Sequence, residues 1–155
     1  MYRKILVPLD GSATAARGLE EAVGLARATG SSLALLHVMD VFPLGMEVAN
    51  AQAWELLVES LRTHGQTLLA QARTVASEHG VAASDKLVEF PVGRVADVIV
   101  DEAKSQSCDL IVMGTHGRRG FSRLTMGSDA EMVVRESPVP VLLVRAPAAS
   151  ADAGG

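Results

Sequence analysis

The sequence predicts an α/β fold: one doubly wound domain in which a five-stranded parallel sheet carries helices on both faces. Short apolar runs alternate with longer segments whose apolar residues recur at helical spacing. These longer segments can supply the crossovers that parallel strands need. The 155 residues suit a single domain, and 48% of them are apolar, so aliphatic side chains can fill its core.

The first half of the chain predicts two strands and two helices. The strands fall at residues 4–9 and 33–38, which are apolar runs rich in Leu and Val. Apolar residues at helical spacing predict a helix around residues 15–26, with Gly30 as its C-cap, and a longer helix around 54–76 that ends before Gly80. Between them, residues 40–50 contain Pro43 and Gly45 and predict a loop near a ligand site.

The second half continues the alternation. Strands are predicted at residues 87–90, 110–113 and 139–144, and helices around 95–103 and 128–135. Gly93 precedes the first of these helices. Ser128 and Glu131 fit the S-x-x-E capping box at the start of the second. We expect residues 1–146 to form the domain, and the small, polar residues 147–155 to be a disordered tail.

The most informative stretch is residues 114–128, here called the glycine segment, which joins a predicted strand to a predicted helix. Gly114, Gly117 and Gly127 can adopt positive φ and let backbone N–H groups approach a ligand, and the helix start adds free N–H donors. Its three arginines are Arg118, Arg119 and Arg123. A solvated glycine turn is the alternative, but placement between strand and helix favours a site for a multiply charged anion such as a polyphosphate.

The pattern Gly114-x2-Gly117-x9-Gly127-Ser128, preceded by residues 109–113, resembles the ATP-binding signature of the universal stress protein family. Residues 4–12 and 137–144 are also similar to the two ends of that family, so the resemblance runs from about Lys4 to Arg145. It implies a Rossmann-like sheet with the strand order 3-2-1-4-5. In such a sheet, ligands bind at the carboxyl ends of the strands, where the order reverses.

The resemblance also implies ATP, accompanied by Mg²⁺, as the ligand. Its predicted contacts are Pro8, Asp10, Val38, Met113, Gly114, Gly117, Arg118, Gly127, Ser128 and Asp129. In this arrangement the amides of Gly117, Gly127 and Ser128 hold the phosphates and the Val38 backbone meets the adenine. Asp10 lies against the nucleoside or a metal-bound water. Two structural alternatives stay open: Asp10 as a turn or N-cap residue, and the Ser128 hydroxyl as part of the capping box.

Asp129 departs from the family pattern, which commonly has a small or apolar residue at this position. A carboxylate in the first helical turn suits the helix dipole but repels a triphosphate at the same amides. It either weakens ATP binding or recruits a divalent cation between itself and the phosphates. We favour the second, in which case Asp129→Ala would reduce the Mg²⁺ dependence of binding.

Three functional interpretations follow. The leading one is a stress-response module that binds ATP and changes its associations with nucleotide state. The others are a slow ATPase or phosphotransfer enzyme and a dimeric interaction protein with a vestigial site. The sequence has no P-loop G-x-x-x-x-G-K-[ST] and no G-x-G-x-x-G after the first strand. It suggests no catalytic or metal-ligating set, and His116 is either a polar contact or an aid to water attack, so we expect at most weak ATP hydrolysis.

Composition and charge narrow the partners and the compartment. The net charge of -4 and the scarcity of lysine argue against nucleic acid, and no apolar run approaches the length of a membrane span. The single cysteine, Cys108, and the absence of a leader before Asp10 predict a cytoplasmic protein. The last predicted strand is apolar, and a sheet edge of that kind needs a cover. We therefore expect a homodimer paired through Val139, Val141 and Leu143.

Overall fold

The computed structural model describes residues 1–41, 48, 50–89, 91–116 and 126–146. Within these residues the chain forms five strands and four helices in strict alternation. The strands are β1 (Lys4–Pro8), β2 (Ser32–Val38), β3 (Ala83–Val88), β4 (Leu110–Gly114) and β5 (Val141–Val144). The helices are α1 (Ala13–Thr29), α2 (Ala51–Glu78), α3 (Val95–Ser105) and α4 (Ser128–Glu136).

The strands form one parallel sheet in the order β3-β2-β1-β4-β5, as predicted. The register places Pro8 opposite Leu36 and Gly114 opposite Val144, so the carboxyl ends of β1, β2, β4 and β5 lie along one edge. The chain order reverses between β1 and β4, which are neighbours. That reversal creates the crevice in which ligands of open α/β sheets bind.

Alternate residues of the central strands bury their side chains in two separate apolar layers. One layer packs Ile5, Val7, Leu33 and Leu35 against helices α1 and α2. The other packs Leu6, Leu36, Ile111 and Met113 against α3 and α4. Because both faces of the sheet are covered, its middle strands read as continuous apolar runs, and this is why β1, β2 and β4 could be recognised in the sequence.

The two edge strands were predicted with the wrong bounds. Strand β3 begins at Ala83, not at residue 87, because its exposed side chains at Ser84, Asp85 and Lys86 interrupt any apolar run. Strand β5 begins at Val141, not at residue 139. Pro140 has no N–H to donate, although its carbonyl accepts the Ile111 N–H at 3.0 Å. Val139 therefore precedes the strand that was expected to contain it.

The predicted helix ends are mostly confirmed. Gly30 closes α1 with φ +74°, and Gly93, which precedes α3, has φ +86°. Most of the predicted loop at 40–50 lies outside the described residues, and so do Phe90 and the predicted tail at 147–155. None of the helices that the structure describes combines the length and apolarity required to cross a membrane.

Candidate functional site

The carboxyl edge of the sheet brings together residues that are far apart in the sequence. Pro8 ends β1, Val38 ends β2, and Met113 and Gly114 end β4. Val38 is half-buried, whereas Met113 is buried beneath the edge. The predicted Gly117 and Arg118 lie outside the described residues, as do Arg119 and Arg123.

Asp10 forms the turn that follows β1. Its Oδ1 accepts the Ser12 N–H at 2.9 Å, which is an Asx turn. The N-cap of α1 is Ser12 itself, whose Oγ accepts the Ala15 N–H at 3.2 Å. Of the two structural roles left open for Asp10, the structure therefore supports the turn. This bond uses one carboxylate oxygen and holds the Asp10 side chain at the crevice between β1 and β4.

Gly114 is required by close packing, not by an unusual backbone angle. Among the described residues the glycines with positive φ are Gly11, Gly30, Gly80 and Gly93, so Gly114 does not use the positive φ that a glycine allows. A Cβ at Gly114 would lie 2.7 Å from Thr14 Oγ1 and 2.8 Å from the Thr14 carbonyl carbon. The missing side chain lets the first turn of α1 approach the end of β4.

The start of α4 differs from the predicted capping box. Gly127, not Ser128, is the N-cap, with φ −61° and ψ 152°, which are angles open to any residue. Its carbonyl accepts the Glu131 N–H at 3.0 Å, so the Ser128 hydroxyl is not used for that bond. The Gly127 N–H donates to the Thr115 carbonyl at 2.7 Å. The Gly127 amide is therefore engaged, and the N–H groups that have no carbonyl partner within α4 are those of Ser128, Asp129 and Ala130.

The carboxyl of Asp129 has neighbours that the sequence did not reveal. The N–H of Ala96, in the first turn of α3, lies near this carboxyl, so the starts of two helices come together here. Asp129 remains in contact with solvent, but partial burial of the carboxyl raises its pKa. The nearby carboxylates of Asp40 and Asp10 raise the pKa further, against the lowering effects of the Ala96 N–H and the Arg94 charge.

Asp129→Asn is expected to stabilise the protein at neutral pH. Asparagine keeps a side-chain oxygen near the Ala96 N–H but removes the negative charge that the carboxylates of Asp40 and Asp10 repel. Folding raises the pKa of Asp129, so the protonated carboxyl favours the folded state. This contribution to stability is complete below pH 3.8, the unperturbed pKa, and is lost as the pH rises through the pKa of the folded state. The melting temperature of the variant should therefore exceed that of the wild type at pH 7, and the difference should shrink on acidification. A variant less stable than wild type at pH 7 would contradict this.

Two histidines that lie near the edge, His37 and His116, are not among the predicted ATP contacts. His37 is buried on β2, and its Nδ1 donates to the Leu9 carbonyl at 2.6 Å, which fixes the chain just before Asp10. The sequence signal for His37 was a polar residue inside an otherwise apolar strand. Nδ1 of His116 lies 2.9 Å from Thr115 Oγ1, and its Nε2 is a buried atom that has no hydrogen-bond partner in the described part of the chain. The described residues contain no cluster of His, Cys, Asp and Glu that could hold a metal ion.

Comparison with known proteins gives consistent matches over nearly the whole chain. Residues 1–145 match the profile of the universal stress protein family. Universal stress protein MJ0531 of Methanocaldococcus jannaschii is 35% identical over 148 residues, which cover 95% of this chain and 84% of that protein. A solved universal stress protein from Burkholderia pseudomallei has 32% identity and a TM-score of 0.75, covering 94% of this chain and 97% of the other. The structure of MJ0577 gives a TM-score of 0.80 at 27% identity, with 96% and 99% covered.

Two further structural neighbours were solved with nucleotides. One is a universal stress protein in complex with cAMP, with a TM-score of 0.66 over 93% of this chain and 97% of the other. The second is a family protein from Arabidopsis thaliana with AMP bound, with a TM-score of 0.67 over 94% and 93%. Each is 22% identical to this chain, so each likeness is one of fold.

Proposed function

Because the chain belongs to the universal stress protein family, we propose that it is a cytoplasmic stress-response protein that binds ATP with Mg²⁺ at the carboxyl edge of β1 and β4. One observation carries the proposal. The crevice between β1 and β4 is bordered by the Asp10 turn on one side and by the start of α4 on the other. This is the position at which open parallel sheets bind nucleotides.

The start of α4 provides the electrostatic argument for phosphate. The N–H groups of Ser128, Asp129 and Ala130 lie in the first turn and have no carbonyl partner within the helix. They add a positive dipole end that attracts anions. Ser128, the first residue of this turn, is exposed. We assign the phosphates to this helix start, together with the glycine segment.

The end of β2 provides the argument for an adenine nucleoside. Val38 is the last residue of its strand and half-buried, next to Val88 of β3, and so offers a backbone edge beside apolar surface. The cAMP and AMP complexes of the two neighbours share the adenosine monophosphate part of ATP. That common part favours an adenine nucleotide over other polyphosphates. Binding, not rapid turnover, is the activity we propose.

We also propose a homodimer paired at β5. This strand lies at the edge of the sheet, and no other strand that the structure describes pairs with its outer backbone groups. Val139, Val141 and Leu143 are half-buried beside α4, while Val134 and Leu142 are 46% and 41% exposed. A second copy would pair the backbone edge and cover the exposed side chains. Sedimentation as a monomer at micromolar concentration would contradict the dimer.

Titration calorimetry with Mg-ATP and the variant Ser128→Asp tests the nucleotide site. An aspartate at the first helical position suits the dipole of α4, so the variant should fold, but its charge should repel phosphate. We expect the wild type to bind with a micromolar-range Kd and Ser128→Asp to bind about tenfold more weakly or worse.

Ser84→Asp is the matched control, because Ser84 is exposed on β3 at the far edge of the sheet. It should bind Mg-ATP like the wild type. No heat with wild type, or equal binding by Ser128→Asp, would contradict the proposed site.

A further inference from the structure

The hydroxyl of Thr14 is a buried polar group on an otherwise apolar face of α1. Thr14 is only 9% exposed, and the neighbouring buried residues of the helix are Ala15, Gly18 and Leu19. A threonine within a helix commonly bonds the carbonyl four residues earlier. For Thr14 that residue is Asp10, which lies outside the helix. The hydroxyl donates instead to the backbone carbonyl of His116, which is 102 residues away.

His116 is the first residue beyond the hydrogen-bonded end of β4. The Thr115 N–H donates to the Val144 carbonyl at 3.0 Å, and the Thr115 carbonyl accepts the Gly127 N–H at 2.7 Å. These two bonds tie the residue after β4 to β5 and to the N-cap of α4. The carbonyl of His116 lies one residue further on, and Thr14 provides its partner. Three hydrogen bonds therefore fix the point at which the chain leaves the sheet.

Thr14 is also linked to the turn that carries Asp10. Its Oγ1 lies 3.3 Å from the Oγ of Ser12, and the Ser12 N–H donates to Oδ1 of Asp10. Close packing against Gly114 brings the first turn of α1 into position for these contacts. A continuous series of hydrogen bonds therefore runs from Asp10 through Ser12 and Thr14 to His116, and it connects the two sides of the crevice.

We propose that Thr14 is a positioning residue for the nucleotide site. Its hydroxyl holds the exit of β4 in register with the Asp10 turn before ligand arrives. Ordering these two segments in advance lowers the conformational entropy lost on binding. The inference rests on the proposed function, since it assigns to Thr14 the task of preparing that site.

Thr14→Val and Thr14→Ser separate the hydroxyl from the shape of the side chain. Valine keeps the branched shape but cannot donate, whereas serine keeps the donor. We expect Thr14→Val to weaken Mg-ATP binding about fivefold, as for one lost neutral hydrogen bond, and Thr14→Ser to stay within about twofold of the wild type.

Thr74→Val is the matched control, because Thr74 of α2 donates to the Ala70 carbonyl at 3.1 Å, is exposed and lies away from the crevice. Its Mg-ATP affinity should equal that of the wild type. If Thr14→Val does not fold, Thr14→Ala removes the same donor without adding bulk.

Amide hydrogen exchange measured without nucleotide separates this inference from the proposed function. Loss of the Thr14 hydroxyl should speed exchange at the Thr115 and Gly127 N–H groups, while Thr14→Ser and Thr74→Val should leave it unchanged. A wild type that binds no nucleotide would overturn the proposed function, and with it the role of Thr14 in binding. Unchanged exchange in Thr14→Val, wild-type affinity in that variant, or equal weakening in Thr14→Ser would each overturn the inference about Thr14 alone.

Discussion

Gly114→Ala is expected to lower the free energy of unfolding by about 3 kcal/mol and to abolish detectable nucleotide binding. The new Cβ would lie 2.7 Å from Thr14 Oγ1 and 2.8 Å from two carbon atoms of Thr14, one of them in the backbone. Helix α1 cannot simply retreat, because Leu19, Ala22 and Val23 hold it in the core. Any shift would also break the bond from Thr14 to His116.

Gly24→Ala is the matched control for this prediction. Gly24 lies within α1, and a Cβ there meets no atom within 4 Å. Alanine in a helix interior is favoured over glycine, so this variant should gain about 0.5–1 kcal/mol. Urea unfolding of both variants gives the comparison. Equal stabilities would show that the approach of α1 to β4 is not as close as described.

Lys86→Met is expected to lower the free energy of unfolding by about 2 kcal/mol at pH 7. Lys86 Nζ lies 2.5 Å from Oε1 of Glu102, a buried residue on α3, and Gln106 donates to the other oxygen at 2.8 Å. This ion pair joins edge strand β3 to the helix layer beneath it. Without the ammonium group, Glu102 would keep a buried charge with only part of its hydrogen bonding.

The effect of Lys86→Met should depend on pH. Burial raises the pKa of Glu102, but the hydrogen bonds from Lys86 and Gln106 outweigh it, and the net pKa is lowered. The ionised Glu102 carboxylate therefore favours the folded state. This contribution to stability is present above pH 4.5, the unperturbed pKa, and is lost as the pH falls through the pKa of the folded state. Removing Lys86 raises the pKa of Glu102. The difference in the free energy of unfolding between wild type and variant should therefore become smaller in acid.

Lys104→Met provides the control, because Lys104 lies on the same helix as Glu102. Lys104 Nζ lies 3.9 Å from Oδ1 of Asp101, and both side chains are exposed, so this pair should contribute almost nothing. Thermal unfolding of both variants across pH 4 to 7 makes the comparison. A loss in Lys104→Met as large as that in Lys86→Met would mean that burial of Glu102 does not matter.

The alternation of strands and helices could be predicted because both faces of the sheet are covered. Strands β1, β2 and β4 are apolar on both sides, and helices α1 and α2 carry regular apolar stripes that end at or shortly before a glycine. The bounds of the two edge strands depended on other features. Exposure of three consecutive residues, Ser84, Asp85 and Lys86, made β3 polar, and Pro140 shortened β5. The strand order came from the family resemblance, since alternation alone does not fix it.

The outline of the candidate site, in which Pro8, Val38 and Gly114 lie at one edge, could be predicted because the ends of parallel strands meet there. Its details depend on contacts between distant segments. Ser128 and Glu131 match a capping box, yet Gly127 takes the cap because its N–H is held by Thr115. A local pattern does not reveal such a bond. The same holds for the bond between Thr14 and His116, where the only sequence signal is a polar residue on a buried helix face.

The most direct test of the nucleotide site is to map backbone amide chemical shifts during titration of the ¹⁵N-labelled protein with Mg-ATP. The site predicts saturable shifts at the carboxyl edge, at Asp10, Val38, Thr115 and Ser128. The amino edge of the same sheet is the internal control, and there Asp109 binds the N–H groups of Arg3 and Lys4. Shifts confined to that opposite edge, or no saturable shifts at all, would contradict nucleotide binding at the crevice between β1 and β4.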